Sequence, residues 1–74
     1  MQVTVKLYAS FRWRLFHEAV REYPVDAMVS GVASDLEIPR GEVGIMLING
    51  RHAAWDDLLH EGDIVSLMPC IGGG

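Results

Sequence analysis

The sequence predicts an α+β domain, in which one helix packs across one face of a mixed β-sheet. Three observations carry this. Gln2-Val3-Thr4-Val5-Lys6-Leu7-Tyr8 alternates strictly between apolar and polar residues, as a half-buried strand does. Val29, Val32, Ala33 and Leu36 fall at i, i+3, i+4 and i+7, one apolar stripe of a helix. Two short apolar runs, 45–48 and 64–68, are bounded by turn residues and read as further strands.

The first strand turns Val3, Val5 and Leu7 one way and Gln2, Thr4, Lys6 and Tyr8 the other. Residues 11–23 carry two patterns at once. Phe11, Leu15, Ala19 and Tyr23 recur every four residues, as in a helix, while Ala19 to Tyr23 also reads as a strand with Val20 and Glu22 on one face. The local pattern leaves both open. Asp26 offers a side-chain oxygen to cap the next helix. Gly31 lies inside that helix and costs it ~1 kcal/mol relative to alanine. Ile38-Pro39 ends it, because a residue before proline avoids the helical region. The continuous run Ile45-Met46-Leu47-Ile48 predicts a central strand covered on both faces. Asn49-Gly50 predicts a tight hairpin, since both residues tolerate positive φ, and Arg51-His52-Ala53 returns as a short strand. Residues 55–60 suffice for a single turn. Glu61-Gly62-Asp63 is a turn, and Ile64-Val65-Ser66-Leu67-Met68 is a last strand with apolar residues on both sides.

Seventy-four residues, half of them hydrophobic, make one small domain and too apolar a chain for disorder. A single cysteine, Cys70, excludes an intrachain disulfide. His17, His52 and His60 lack metal-ligand spacing, so no metal site is expected. The N-terminus has no signal-peptide layout, and Lys6, Arg12, Arg14 and Arg21 interrupt any apolar span, so a soluble, cytoplasmic protein without membrane attachment is expected. The net charge is −4. It is uneven: residues 1–25 hold four basic and two acidic side chains, and residues 26–74 hold two basic and eight acidic. The acidic part argues against nucleic acid. It reads as a solvated face, or as a surface for docking on a basic protein.

The chain ends Pro69-Cys70-Ile71-Gly72-Gly73-Gly74. Three glycines cannot pack a core or hold a strand, but their backbone fits spaces closed to any side chain. The expected organisation is therefore a folded domain over 1–71 and a flexible glycine tail over 72–74.

Order, length and ending together resemble the ThiS/MoaD-type ubiquitin-like sulfur carriers, that is, the thiamin-pathway carrier and the small subunit of molybdopterin synthase. The resemblance spans essentially the whole chain. It rests on Val5-Lys6-Leu7-Tyr8-Ala9-Ser10-Phe11-Arg12, on Ile48-Asn49-Gly50, on Glu61-Gly62-Asp63-Ile64-Val65, and on Met68-Pro69-Cys70-Ile71-Gly72-Gly73-Gly74. The fold it implies is the β-grasp, which turns residues 11–23 toward a loop followed by a second strand. The sequence departs from the family in its third glycine, in Cys70-Ile71 where Pro-Val is common, and in the aromatic, basic segment 11–16.

The resemblance implies a function for the terminal carboxylate. An E1-like adenylating enzyme uses ATP to activate Gly74, and a sulfur donor, often a persulfide, leaves a thiocarboxylate for cofactor biosynthesis. Gly74 is then the reacting group, and Gly73 and Gly72 enter the partner's narrow site. Tyr8, Met68 and His52 stand where the family's apolar partner contacts lie. The partner would be a larger molybdopterin synthase subunit or, alternatively, a thiazole synthase. No catalytic triad or carboxylate pair is visible, so the chain reads as a protein co-substrate and not an enzyme, with no cofactor of its own. A ubiquitin-like modifier conjugated through Gly74 is the reading from another class, although the tail lacks the basic residues usual before such glycines.

Other residues have plainer readings. Cys70 reads as a buried or half-buried thiol, with a sulfur relay as alternative. Met68 fits the core as well as an exposed contact. Trp13 reads as packed on the body or as a partner contact, and Trp55 as an anchor of the small core.

Overall fold

The computed structural model describes residues 1–70. The tail expected over 72–74 and the domain end at 71 lie outside the described residues. The elements are β1 (Gln2–Leu7), α1 (Ser10–Arg14), β2 (Glu18–Glu22), α2 (Val29–Asp35), a 3-10 turn (Arg40–Glu42), β3 (Val43–Ile48), β4 (Arg51–His52) and β5 (Ile64–Pro69). They form one five-stranded sheet in the order β2-β1-β5-β3-β4. β1 and β5, the first and last strands, pair in parallel at its centre, and the other pairs are antiparallel. Helix α2 lies across one face. This is the β-grasp, as the resemblance implied.

The core lies between sheet and helix. Val3, Val5 and Leu7 of β1 and Val65 and Leu67 of β5 are fully buried, and the α2 stripe Val29, Val32, Ala33 and Leu36 closes over them. Phe11, Ile38 and Leu59 fill the ends, and Trp55 packs half-buried against the cluster with the Arg40 guanidinium over its ring. No helix among the described residues is long and apolar enough to cross a membrane.

Residues 11–23 follow the strand pattern from Glu18 on, and the four-residue period holds for Phe11 alone. A single helical turn, α1, replaces the expected loop and buries Phe11, while Leu15 is exposed. The helical period ends there, and β2 follows, antiparallel to β1.

Asp26 does not cap α2. The N-cap position is Met28, which makes no side-chain cap. The first helical amides instead donate to the turn below them, Val29 N to the Asp57 carbonyl and Ser30 N to that of Trp55. Tertiary structure thus satisfies the helix end. Nor does Ile38-Pro39 end the helix directly. It stops at Asp35, where Glu37 takes a left-handed φ of 56° and Ile38 N donates to the Ala33 carbonyl while Glu37 N donates to that of Ser34. This is a Schellman closure, made without the usual glycine.

The expectation that β3 and β5 are covered on both faces is corrected. Among the described residues only α2 lies across the sheet, so only one face is covered. Ile45 and Ile64 remain 40% and 37% exposed on the open face. Two other placements differ. Trp13 is 90% exposed and does not pack on the body. Cys70 is exposed, because it lies beyond the last strand.

The hairpin forms as Asn49-Gly50 indicated, with φ of 52° and 81°. A polar lock holds it to the start of β5. Asn49 Nδ2 donates to Asp63 Oδ1 at 2.9 Å, the Ile64 amide donates to Asn49 Oδ1, and the His60 amide donates to Asp63 Oδ2 at 2.8 Å. Asp63 is almost buried, and this pairing satisfies it.

Candidate functional site: the open sheet face and the stem of the tail

Strand periodicity places alternate residues of the sheet on the face away from α2. The register brings them into rows. Leu47 pairs His52 on one side and Ser66 on the other, and Lys6 pairs Ser66 and Glu18. Along the next row Ile45 pairs Met68. Leu7 pairs Leu67 in the parallel ladder, so Tyr8 and Met68 are the next residues along the two central strands. The face therefore carries a diagonal of Tyr8, Met68, Ile45, Leu47 and His52.

The three contact residues expected from the sequence do share this face. Tyr8 is half-buried. The Arg12 guanidinium lies 5.0 Å from its ring centroid and donates from Nε to the Leu7 carbonyl at 2.8 Å, a cation-π contact that fixes the ring. Met68, open between core and surface in the sequence, is half-buried and lies outside the core cluster. His52 is exposed on the edge strand. Sequence reasoning missed Ile45 and Leu47, which join these residues into one apolar surface. The signal was present: four consecutive apolar residues in a domain with one helix must leave some of them on the uncovered side.

β5 runs parallel to β1 and carries the chain out at the end of the sheet where Tyr8 and α1 lie. Cys70 is the last described residue. Its amide donates to the Glu42 carbonyl at 2.9 Å, and its Sγ lies 3.5 Å from the Gly41 carbonyl. Glu42 is held in turn by Arg14 Nη1 at 2.7 Å. Gly72, Gly73 and Gly74 lie outside the described residues.

On the helix side, Arg21 and Tyr23 both donate to Asp35. Burial, and then the hydrogen bond its hydroxyl donates to Asp35, push Tyr23 up to about 12, and Asp35 also raises Arg21. An open groove of about 800 Å³ beside the hairpin is lined by Asp56, Asp57, Asp63, His52 and His60. Two of its carboxylates hold the fold instead, Asp57 by accepting from the Ala54 amide and Asp63 in the lock. No group of three or more His, Cys, Asp or Glu among the described residues could hold a metal ion.

Comparison with known proteins agrees with this architecture. No curated protein matches the chain. Among solved structures, it is similar to a putative molybdopterin converting factor subunit 1 from Pyrococcus furiosus, with 26% identity and a TM-score of 0.80 over 96% of this chain and 99% of that one. It is also similar in fold to Haloferax volcanii small archaeal modifier protein 1 (19% identity, TM-score 0.79, 95% and 98% covered). Subunit 1 of the molybdopterin-converting factor from Helicobacter pylori, solved in complex with subunit 2, shares the fold at 18% identity and a TM-score of 0.67, with both chains fully covered. The model of the ThiS family matches residues 5–74. With that match covering all but the first four residues, the chain belongs to the ThiS family and is a ubiquitin-like β-grasp protein of the ThiS/MoaD type.

Proposed function

We propose that the protein is a sulfur carrier whose reactive group is the Gly74 carboxylate. The observation that carries this is the topology. The central strand β5 brings the chain at Pro69 and Cys70 to the end of an open apolar face, so docking through that face brings the C-terminal segment to the same partner.

A carboxylate is a poor acyl donor, because displacement would have to expel oxide. Adenylation removes the difficulty. A Gly74 oxygen attacks the α-phosphorus of ATP, pyrophosphate leaves, and an acyl-adenylate forms on an E1-like adenylating enzyme. The terminal sulfur of a persulfide then attacks the acyl carbon and AMP leaves. A second thiol cleaves the resulting acyl disulfide, giving the Gly74 thiocarboxylate and a disulfide on the donor side. Gly73 and Gly72 have no side chains to obstruct entry into a narrow site. The chain contributes no catalytic group, binds no cofactor of its own, and acts in the cytoplasm.

Molybdopterin synthesis is the favoured pathway, supported by Tyr8-Ala9-Ser10-Phe11-Arg12 and by the similarity to molybdopterin converting factor subunit 1. The partner is then a larger synthase subunit, a reading supported by the H. pylori relative's complex with its subunit 2. A thiamin thiazole carrier, with a thiazole synthase as partner, is the second pathway, and the family match fits it equally. The fold shared with a small archaeal modifier protein supports a third reading, conjugation to lysines through Gly74.

Intact-mass spectrometry tests the proposal. The chain is incubated with its adenylating enzyme, ATP and a persulfide donor, and an oxygen-to-sulfur mass increase is expected. Deleting Gly74 abolishes that increase. If the full chain never gains sulfur, the proposal is wrong. An isopeptide adduct in its place selects the modifier reading, and co-purification with a synthase subunit or a thiazole synthase selects the pathway.

A further inference from the structure

Gly44 interrupts the β3–β5 ladder. Val43 pairs Pro69, and the register then shifts so that Ile45 pairs Met68. Gly44 is the extra residue of this bulge. A Cβ built on it would meet three backbone atoms of the tail stem, the Cys70 Cα and the Pro69 oxygen at 3.0 Å and the Cys70 nitrogen at 3.1 Å. Gly31 and Gly41, by contrast, have nothing within 4 Å of such an atom. The glycine at 44 is thus favoured by close approach to the stem and not by a left-handed φ.

Around this contact the stem is held from one side. The Cys70 amide donates to the Glu42 carbonyl, Glu42 is braced by Arg14, and Pro69 has no amide to donate. From the sulfur-carrier reading above and this geometry, we propose that Gly44 and the Arg40–Glu42 turn form a clamp that sets the direction in which the C-terminal arm leaves the domain. Gly44 is a positioning residue for the Gly74 carboxylate. It touches neither substrate nor reacting atoms.

A methyl group at position 44 forces its neighbours apart by a few tenths of an ångström. Beyond Gly44, β3 runs on in the β5 ladder from Ile45 to Ile48 and pairs β4 at Leu47 and Ile48, whereas Cys70, the last described residue, is tied by its amide to the Glu42 carbonyl and by a 3.5 Å Sγ contact to that of Gly41. The stem therefore yields. Four residues follow Cys70 in the sequence and extend at most ~14 Å at ~3.3–3.6 Å each, so the position of Cys70 sets the region that the Gly74 carboxylate can reach. Misplacement of a reacting group by about 1 Å can cost about 10²-fold in rate.

The test uses the full chain and its Gly44→Ala and Gly44→Val variants. Hydrogen exchange reads the Cys70 amide, thermal melting reads the fold, and pyrophosphate release with the adenylating enzyme and ATP gives kcat and KM. The Cys70 amide is expected to be protected in the natural chain and released in Gly44→Ala. The kcat should fall by at least about tenfold, as misplacement predicts, and further in Gly44→Val, while KM stays within about twofold because the open face is intact. Two results overturn the clamp: a Cys70 amide still protected in Gly44→Ala, or a released amide with unchanged kcat. If Gly44→Val does not fold, Gly44→Ala decides alone. A natural chain that is never adenylated sinks the sulfur-carrier reading and the positioning role with it, and the exchange data still show separately whether Gly44 holds the stem.

Discussion

Replacing Asp63 by alanine should be among the most damaging single changes in this domain. Asp63 is nearly buried, and its two oxygens accept from Asn49 Nδ2 at 2.9 Å and from the His60 amide at 2.8 Å. Asn49 in turn accepts from the Ile64 amide, so one carboxylate ties the β3–β4 hairpin to the start of β5. Hydrogen bonds to a charged group contribute ~1.5–3 kcal/mol each, and deletion leaves two donors without a partner. The two bonds share one group and do not add fully, so Asp63→Ala should lose about 3 kcal/mol. At ~4–8 °C per kcal/mol for a domain of this size, Tm should fall by roughly 12–24 °C. Asp63→Asn keeps one acceptor oxygen and the shape, and should lose about half as much. Thermal melts followed by circular dichroism, with urea titrations to check for an unchanged m-value, measure both. A Tm drop under about 4 °C for Asp63→Ala would correspond to less than ~1 kcal/mol and would refute the argument that this lock closes the hairpin. So would the absence of coupling between Asp63→Ala and Asn49→Ala in a double-mutant cycle.

Three further outcomes are expected. Tyr23 is raised from 10.0 to about 12 in the fold, so its contribution is fully present below pH ~10 and is lost as pH rises toward ~12, by about 2 kcal/mol in all. The stability difference between the natural chain and Tyr23→Phe in urea titrations should shrink over that window, and a constant difference would contradict it. Gly31→Ala should stabilise α2 by roughly 0.5–1 kcal/mol, raising Tm by about 4–8 °C per kcal/mol, because an added methyl meets nothing there. Ile45→Asp on the open face should change stability by less than ~1 kcal/mol yet weaken partner binding by about tenfold or more in titration calorimetry. In charging kinetics it should raise KM, the opposite signature to Gly44→Ala.

Local patterns carried much of the fold. Alternation in β1, the four-residue stripe of α2 and the Asn49-Gly50 turn are short-range properties, decided by periods of two and 3.6 residues and by allowed φ. Each stands in the structure nearly as the sequence indicates. The candidate site was legible in its parts. Tyr8, Met68 and His52 share the open face, whereas the apolar run that holds Ile45 and Leu47 reads in sequence as a doubly covered strand. Hydrophobicity records that a residue avoids water and does not record which neighbour covers it. Here a second covering layer does not exist among the described residues. The α2 cap was misjudged for a similar reason. Asp26 was the nearest capping residue in sequence, while the carbonyls of Trp55 and Asp57, distant in sequence, were nearer in space.

The sequence by itself determined the strands, the main helix, and the inward residues of β1 and α2. All of these depend on residues within a few positions of one another. Tertiary structure alone decided that β5 lies parallel beside β1, that the face away from α2 stays open, and that Gly44 meets the stem of the tail. These follow from pairing across dozens of residues, where register and the count of covering layers are set by the packing of the whole domain.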